Sequence, residues 1–248
     1  PQADSVSEFW NNLRDGKDCI TEIPRNRWDH DSIFDTDKNK SGKSYSKWGG
    51  FINGIDEFDP LFFNISPNDA KIMDPQERLF LQCAYEVLED AGYTREALRT
   101  DQGDGFESRV GVFVGVMYEE YQLYGSLKND DGLGSAVTCN TANIANRVSY
   151  YCNFNGPSMA LDTMCSSSLT SLHLACQSLK QSETDLAIAG GVNVTVHPNK
   201  YLMLSQGRFV SSKGRCESFG EGGEGYVPGE GVGAVLFKPL QKAIDDGD

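Results

Sequence analysis

The sequence has no long hydrophobic run and no segment that marks a secreted protein. No stretch of about 18 consecutive apolar residues occurs, and a membrane-spanning helix would need one. Residues 1–7 are polar and lack the basic and apolar parts of a secretory leader. We therefore expect no membrane association and a cytoplasmic location.

Positive charge is also scarce. The 22 Lys and Arg residues are outnumbered by 36 Asp and Glu residues, which gives a formal net charge of −14. Because so acidic a chain repels phosphate backbones, nucleic acid is not expected as a partner. With 39% hydrophobic residues, the 248-residue chain can still bury a sizeable core.

The sequence lacks any C-x-x-C pair. An odd number of scattered cysteines argues against a disulfide framework and a structural zinc site, and it favours a reducing compartment. We predict no bound metal and no directly bound cofactor. The seven cysteines are Cys19, Cys83, Cys139, Cys152, Cys165, Cys176 and Cys216.

What is present is a regular alternation of strands and helices, which predicts an α/β fold with helices covering a sheet. Apolar, β-branched segments predict buried strands at 109–116, 158–162, 185–194 and 231–237. Capping residues and apolar spacing predict helices that begin near residues 5, 66, 74, 140 and 166. Regions 21–54 and 118–134 have no clean period and are predicted to be loops. Because no linker or repeat is evident, we expect one domain, or part of one.

Two of these helices carry predictions about packing. The first has Phe9, Trp10 and Leu13 on one face and is predicted to end at Gly16. For the helix 166–180, the predicted apolar face consists of Leu169, Leu172, Ala175, Cys176 and Leu179.

The most informative residue is Cys165, which lies where a predicted strand runs into a predicted helix. The first amides of a helix have no internal partner, and the helix dipole places partial positive charge there. A thiolate at this position is stabilised, so we expect a lowered pKa and a reactive sulfur. The same amides can bind an oxyanion. The pattern alone leaves an ordinary buried cysteine equally open.

The sequence offers this cysteine no evident base, because it contains only three histidines. His173 follows Cys165 by eight residues on the same helix, which places it roughly 12 Å away, too far for a hydrogen bond. His197 lies in a loop whose spacing assigns it no role. His30 lies beside Trp28 and is predicted to be structural.

Several segments resemble the β-ketoacyl synthase family, in particular the ketosynthases of modular polyketide synthases. Asp162-Thr-Met-Cys165-Ser-Ser-Ser resembles the family's nucleophile signature. Other matching segments are Asp74-Pro-Gln-Glu-Arg78, Glu86-Val-Leu-Glu-Asp-Ala-Gly92, Asn146-Arg-Val-Ser-Tyr150, Gly156-Pro-Ser158, Gly214-Arg-Cys-Glu-Ser-Phe219 and Gly225-Tyr-Val-Pro-Gly-Glu-Gly231. The segment Met117-Tyr-Glu-Glu-Tyr-Gln-Leu-Tyr124 resembles ketosynthases of synthases that use a separate acyltransferase.

The resemblance implies a thiolase-like α/β fold, of which residues 1–248 would form the N-terminal half. It implies that Cys165 accepts an acyl chain from the phosphopantetheine arm of an acyl carrier protein. A malonyl-type extender then loses carbon dioxide and attacks the thioester in a Claisen condensation. The resemblance also implies a homodimer, with the strand 158–162 near the partner subunit.

The chain departs from the family pattern in what it lacks. The family's first strand has no counterpart here, and neither do the two histidines and the lysine that complete its active site. We therefore expect a fragment, or one piece of a split protein, that cannot condense acyl groups by itself. A cysteine hydrolase, and a docking or acyl-holding module without condensation activity, remain alternatives.

Two further patterns have simpler explanations. Residues 220–225 match G-x-G-x-x-G, but they follow a polar loop and carry Glu221 and Glu224, so a turn-rich loop is favoured over a dinucleotide site. The acidic residues at predicted helix starts and polar faces are explained by capping and solvation; they are Asp69, Asp74, Glu77 and Glu86.

Overall fold

The structure is a computed structural model that describes residues 1–98, 109–127, 137 and 139–248. Within these residues the chain forms two compact units, which are described separately. Unit 1 comprises Pro1–Asp56 and Val194–Gly231, and unit 2 comprises Glu57–Asn193 and Val232–Asp248. The expectation of a single domain is not decided by this division and stays a prediction.

Unit 1 is built largely from irregular segments, as predicted for residues 21–54. Helix α1 (Val6–Arg14) is capped by Ser5, whose side chain accepts the Glu8 N–H, so the predicted helix start is confirmed. Strands β1 (Thr21–Glu22) and β2 (Trp48–Gly49) pair antiparallel in a two-stranded ribbon. Helix α7 (Asn199–Gln206) completes the unit.

The core of unit 1 forms around Tyr201 of α7, which is fully buried. It packs with Ile23, Phe51 and Trp28, and its ring meets that of Trp28 edge-on at a centroid distance of 5.8 Å. Its hydroxyl donates to the Trp48 carbonyl oxygen at 2.9 Å. One side chain therefore joins α7 to the ribbon.

Unit 2 contains a four-stranded sheet in the order β4-β3-β5-β6. The strands are β3 (Val110–Gly115), β4 (Ser158–Leu161), β5 (Leu186–Asn193) and β6 (Gly231–Phe237), close to the four predicted ranges. Strand β3 runs parallel to both β4 and β5. Every residue of β3 is buried, as expected of a central strand covered on both faces.

Three helices of unit 2 pack on this sheet: α3 (Pro75–Asp90), α5 (Thr141–Cys152) and α6 (Ser167–Lys180). The unit also contains α2 (Pro67–Ile72), α4 (Gln122–Leu127) and α8 (Leu240–Asp246). Helix α6 lies against β3 and β5, and α5 lies against β3 and β4. The predicted inward residues Ile144 and Val148 of α5 are buried. Helices on a largely parallel sheet confirm the predicted α/β architecture.

One helix falls where a loop was predicted. Residues 118–134 were expected to be irregular, but Gln122–Leu127 form α4. The segment has six residues and includes a glycine, so it presents no helical periodicity. The rest of that prediction, from residue 128 to residue 134, lies outside the described residues.

Candidate active site

Cys165 lies in a short turn between β4 and α6, residues 162–166, which we call the nucleophile turn. Strand β4 ends at Leu161, and α6 begins at Ser167 with Ser166 as its N-cap residue. The predicted strand, turn and helix around the cysteine are therefore confirmed. The thiol is exposed, so the alternative of an ordinary buried cysteine does not describe it.

The sulfur of Cys165 is directed by the backbone that carries it. Its Sγ makes no hydrogen bond to any residue within the described ranges. The side chain of the preceding residue, Met164, is 62% exposed and lies open to solvent beside it. The turn therefore presents a thiol to solvent at the start of a 14-residue helix.

Helix α6 approaches the sheet unusually closely at the turn. A Cβ added to Gly115, the last residue of β3, would lie 2.5 Å from backbone atoms of Ser167 and Ser168. Further along, the Ser171 hydroxyl donates to the Gly190 carbonyl oxygen of β5 at 2.8 Å. The start of α6 is thus fixed directly against two strands.

The predicted face of α6 is confirmed in part. Ala175 is buried in the core, and Leu172 and Leu179 pack against the same cluster. The other buried residues of the helix are small: Ser167, Ser171 and Ser178. The prediction that Leu169 lies on the buried face was wrong, because this side chain is 73% exposed. A leucine at the sheet would hold the helix too far away for the backbone contact at Gly115, whereas serine and alanine permit it.

A second residue near the thiol escaped the sequence analysis. Tyr118 follows the carboxyl end of β3, whose Gly115 pairs with Leu161 at the end of β4. Burial raises the pKa of the Tyr118 phenol, and the charges of Glu120, Cys165 and Asp162 raise it further. The signal that could have identified it is topological: loops at the carboxyl ends of neighbouring parallel strands meet at one edge of the sheet.

Of the three histidines, His173 alone belongs to the same unit as Cys165. His173 is exposed on α6. His197 lies in unit 1, where its Nδ1 accepts the Asn199 N–H at 3.1 Å and burial lowers its pKa. His30, also in unit 1, is 6% exposed, in keeping with a structural residue.

The acidic residues divide into two groups. Asp69 is an exposed residue of the first turn of α2 and bonds to the capping residue Ser66, as predicted. Asp74 caps α3 by accepting the Gln76 N–H at 2.8 Å, as predicted, although it is buried. The prediction that Glu77 is solvated was wrong, because it is 2% exposed. Glu77 is held by Arg147 of α5 at 2.8 Å.

The glycine-rich segment 220–225 forms a turn at residues 221–222 and is otherwise irregular. Its Glu224 accepts the Ser212 N–H at 2.9 Å and pairs with Lys38. After Gly225 the chain continues into Tyr226, which forms an isolated bridge with Val210, and no helix begins there. The predicted turn-rich loop is confirmed, and the strand and helix of a dinucleotide site are absent around this described segment.

Other kinds of site find no support within the described parts of the chain. No group of three or more His, Cys, Asp or Glu side chains there could hold a metal ion. No described helix is both long and apolar enough to cross a membrane. All seven cysteines are free thiols.

With this geometry established, comparison with known proteins assigns the chain to a family. The family model described as "Beta-ketoacyl synthase, N-terminal domain" matches residues 1–243. The chain therefore belongs to the β-ketoacyl synthase family, as its motifs predicted.

More specific similarity is to polyketide synthases. The chain is 67% identical over its whole length to polyketide synthase PksL of Bacillus subtilis, of which it spans 6%. It is 64% identical to polyketide synthase ThaG of Burkholderia thailandensis, of which it spans 4%. The chain thus covers only a small part of these relatives.

Solved structures of two ketosynthase domains have the same fold as this chain. The oxazolomycin ketosynthase domain OzmH KS7 of Streptomyces albus has 53% identity and a TM-score of 0.94; the alignment covers 100% of this chain and 43% of that one. The ketosynthase from module 6 of the bacillaene synthase of Bacillus subtilis has 39% identity and a TM-score of 0.85; the alignment covers 99% and 39% of the two chains. These likenesses confirm the predicted thiolase-like fold of an N-terminal ketosynthase portion.

Proposed function

We propose that this chain supplies the acyl-accepting part of a polyketide-synthase ketosynthase, with Cys165 as its nucleophile. The observation that carries the proposal is the exposed thiol of Cys165 two residues before the first residue of α6. The dipole of the helix places partial positive charge at this end, which favours a negatively charged sulfur. Family membership supports the same reaction.

The proposed chemistry begins with transfer of an acyl group. The sulfur of Cys165 attacks the carbonyl carbon of an acyl thioester, and a carbon–sulfur bond forms as the bond to the carrier's phosphopantetheine sulfur breaks. The proton lost by Cys165 balances the one gained by the released carrier thiol. Amides at the start of α6 would stabilise the oxyanion that forms between these steps. Covalent capture divides a difficult condensation into two easier steps.

We propose that the second step is a decarboxylative Claisen condensation. A malonyl thioester on a second carrier loses carbon dioxide, and its α-carbon forms a bond with the acyl carbonyl carbon as the bond to Cys165 breaks. His173, the histidine in the same unit as Cys165, lies eight residues along the chain and roughly 12 Å away along α6, too far to act at the thiol. We therefore propose that this chain alone accepts acyl groups without extending them.

The proposed partners follow from this chemistry. They are an acyl carrier protein with its phosphopantetheine arm, and acyl and malonyl thioesters as substrates.

We further propose a homodimer in which β4, at one end of the strand order, lies near the partner subunit. Met159 of β4 is 41% exposed, which supports a covered edge in the assembly. The segment Met117–Tyr124 supports a synthase that uses a separate acyltransferase.

Acyl transfer from a carrier thioester, followed by mass spectrometry, tests the proposal. We expect the protein to gain one acyl group, the Cys165→Ala variant to gain none, and the matched variant Cys216→Ala, which removes another exposed thiol, to gain one. Added malonyl carrier should yield no β-ketoacyl product from this chain alone. Release of free acid that requires Cys165 would favour the hydrolase, and carrier binding without transfer would favour the docking module.

A further inference from the structure

The backbone immediately before Cys165 has a conformation that requires support. Met164 has a φ of +60°, in the left-handed region that residues with a Cβ adopt only at a cost in free energy. Such a conformation persists where surrounding contacts enforce it. In the nucleophile turn those contacts come from side chains on both sides of Met164.

Two side chains hold the two polar backbone groups of Met164. The N–H donates to Oδ1 of Asp162 at 2.7 Å. The carbonyl oxygen accepts from the hydroxyl of Ser167 at 2.6 Å. The same Ser167 oxygen accepts the Thr163 N–H at 3.0 Å, so one buried hydroxyl fixes both residues that precede Cys165.

This arrangement determines where the thiol points. The backbone conformation of the turn sets the position of the Cβ of Cys165, and the χ1 rotamer then places Sγ from there. Rotation of the peptide unit at Met164 would change the direction of the Cα–Cβ bond of Cys165. The hydrogen bonds from Asp162 and Ser167 oppose that rotation.

We propose that Asp162 and Ser167 are positioning residues, which hold the thiol of Cys165 in register with the start of α6 for attack on a thioester. The proposal rests on the proposed function of Cys165 as acyl acceptor. Neither side chain needs to touch the substrate. Asp162 acts through its acceptor oxygen, and its negative charge is not required for this role.

Comparison of two substitutions at Asp162 separates geometry from charge. Asp162→Asn and Asp162→Ala both remove the negative charge, but only asparagine keeps an acceptor oxygen for the Met164 N–H. Asp162 is exposed, so neither variant is expected to unfold the protein. In the protein that carries this sequence, we expect Asp162→Ala to acquire an acyl group from an acyl-N-acetylcysteamine thioester at least about tenfold more slowly than Asp162→Asn, since small misplacements of reacting groups have such effects.

A second comparison removes the buried hydroxyl of Ser167. Ser167→Ala should slow acyl transfer by a similar factor. Ser178→Ala is the matched control, because it removes another buried serine hydroxyl from α6, one that accepts from Thr184 at 3.2 Å and lies eleven residues from Ser167. It should lower the thermal midpoint without slowing acyl transfer. If Ser167→Ala does not fold, the two exposed Asp162 variants still decide the proposal.

Alkylation by iodoacetamide between pH 6 and pH 9 provides a readout that does not depend on acyl transfer. The ratio of the Cys165 rate to that of the exposed Cys216 in the same molecule should be lower in Asp162→Ala than in Asp162→Asn. Equal acyl-transfer rates and equal alkylation ratios for these two variants would overturn the positioning role. Absence of acyl transfer in the wild type would overturn the proposed function instead, and the alkylation ratio would then decide the positioning role.

Discussion

At the scale of single residues, the buried carboxyl of Asp74 should make the stability of the fold depend on pH. Its Oδ1 caps α3 by accepting the Gln76 N–H at 2.8 Å. Burial raises the pKa of Asp74 to about 6, opposed by the Gln76 N–H and assisted by the negative charges of Glu119 and Glu77. The unfolded chain has the ordinary pKa near 4. The folded state therefore binds this proton more tightly, and stability falls as pH rises from about 4 to about 6.

Asp74→Asn should remove this pH-dependent loss of stability, and asparagine is also a good N-cap residue. We expect the variant to be more stable than the wild type by about 3 kcal/mol at pH 7.5, and to differ little from it at pH 4. Urea unfolding across this pH range measures the difference. Asp69→Asn, at an exposed carboxyl in the first turn of α2, is the matched control and should retain the wild-type pH dependence. An Asp74→Asn variant that is less stable at pH 7.5 would contradict the prediction.

The sequence correctly predicted the position of Cys165. It did not predict the burial of residues whose partners lie far away in the chain. The thiol's position follows from a local strand, turn and helix. The burial of Glu77 depends on Arg147, 70 residues later, and no local pattern reports such a pair. Leu169 was misplaced because hydropathy cannot register that small residues bring α6 against β3.

At the scale of elements, the contact between α6 and β3 makes Gly115 a sensitive position. Alanine there would place its Cβ 2.5 Å from backbone atoms of Ser167 and Ser168, so the helix would have to move. We expect Gly115→Ala to lower the free energy of unfolding by about 1 to 3 kcal/mol. It should also slow acyl transfer to Cys165, because the displaced helix carries the nucleophile turn.

The matched control is Gly233→Ala in β6 of the same sheet. A Cβ at that glycine meets no heavy atom within 4 Å, so little change is expected in stability or acyl transfer. Denaturant unfolding and mass spectrometry of the acyl-enzyme measure both effects. Equal behaviour of the two variants would show that the close approach of α6 is unimportant.

The elements themselves were largely predictable. The four strands of the sheet were found within one residue or two of their observed ends, because buried β-branched runs are distinctive. The starts of α1, α2 and α3 follow from Ser5, Ser66 and Asp74, each of which accepts a backbone N–H in the first turn. The short helix α4 lacks such a cap signal, and the order of the strands is set by contacts that single-sequence periodicity does not contain.

At the scale of the whole molecule, α1 has an apolar face that the described residues leave uncovered. The predicted residues do share one face, but Phe9, Trp10 and Leu13 are 52%, 62% and 57% exposed. Contiguous exposed apolar surface of this kind favours association. We expect the chain to bind the dye ANS and to elute from a sizing column at a position that depends on its concentration.

Trp10→Glu should reduce both effects, since it places a charge within this face. Asn11→Glu adds the same charge at an exposed neighbouring position and should leave dye binding and elution close to those of the wild type. Fluorescence titration and chromatography at several concentrations make the comparison. Unchanged dye binding by Trp10→Glu would show that the apolar face of α1 is not the surface that binds ANS.

The division into two units has a practical consequence for anyone who shortens this chain. Each unit is assembled from two separate stretches, because the backbone passes from one to the other after residues 56, 193 and 231. Any C-terminal truncation before residue 231 deletes β6, which is hydrogen-bonded to β5 although 37 residues separate them in sequence. A smaller version that keeps the Cys165 sheet intact must therefore remove residues 194–230 internally and rejoin the ends.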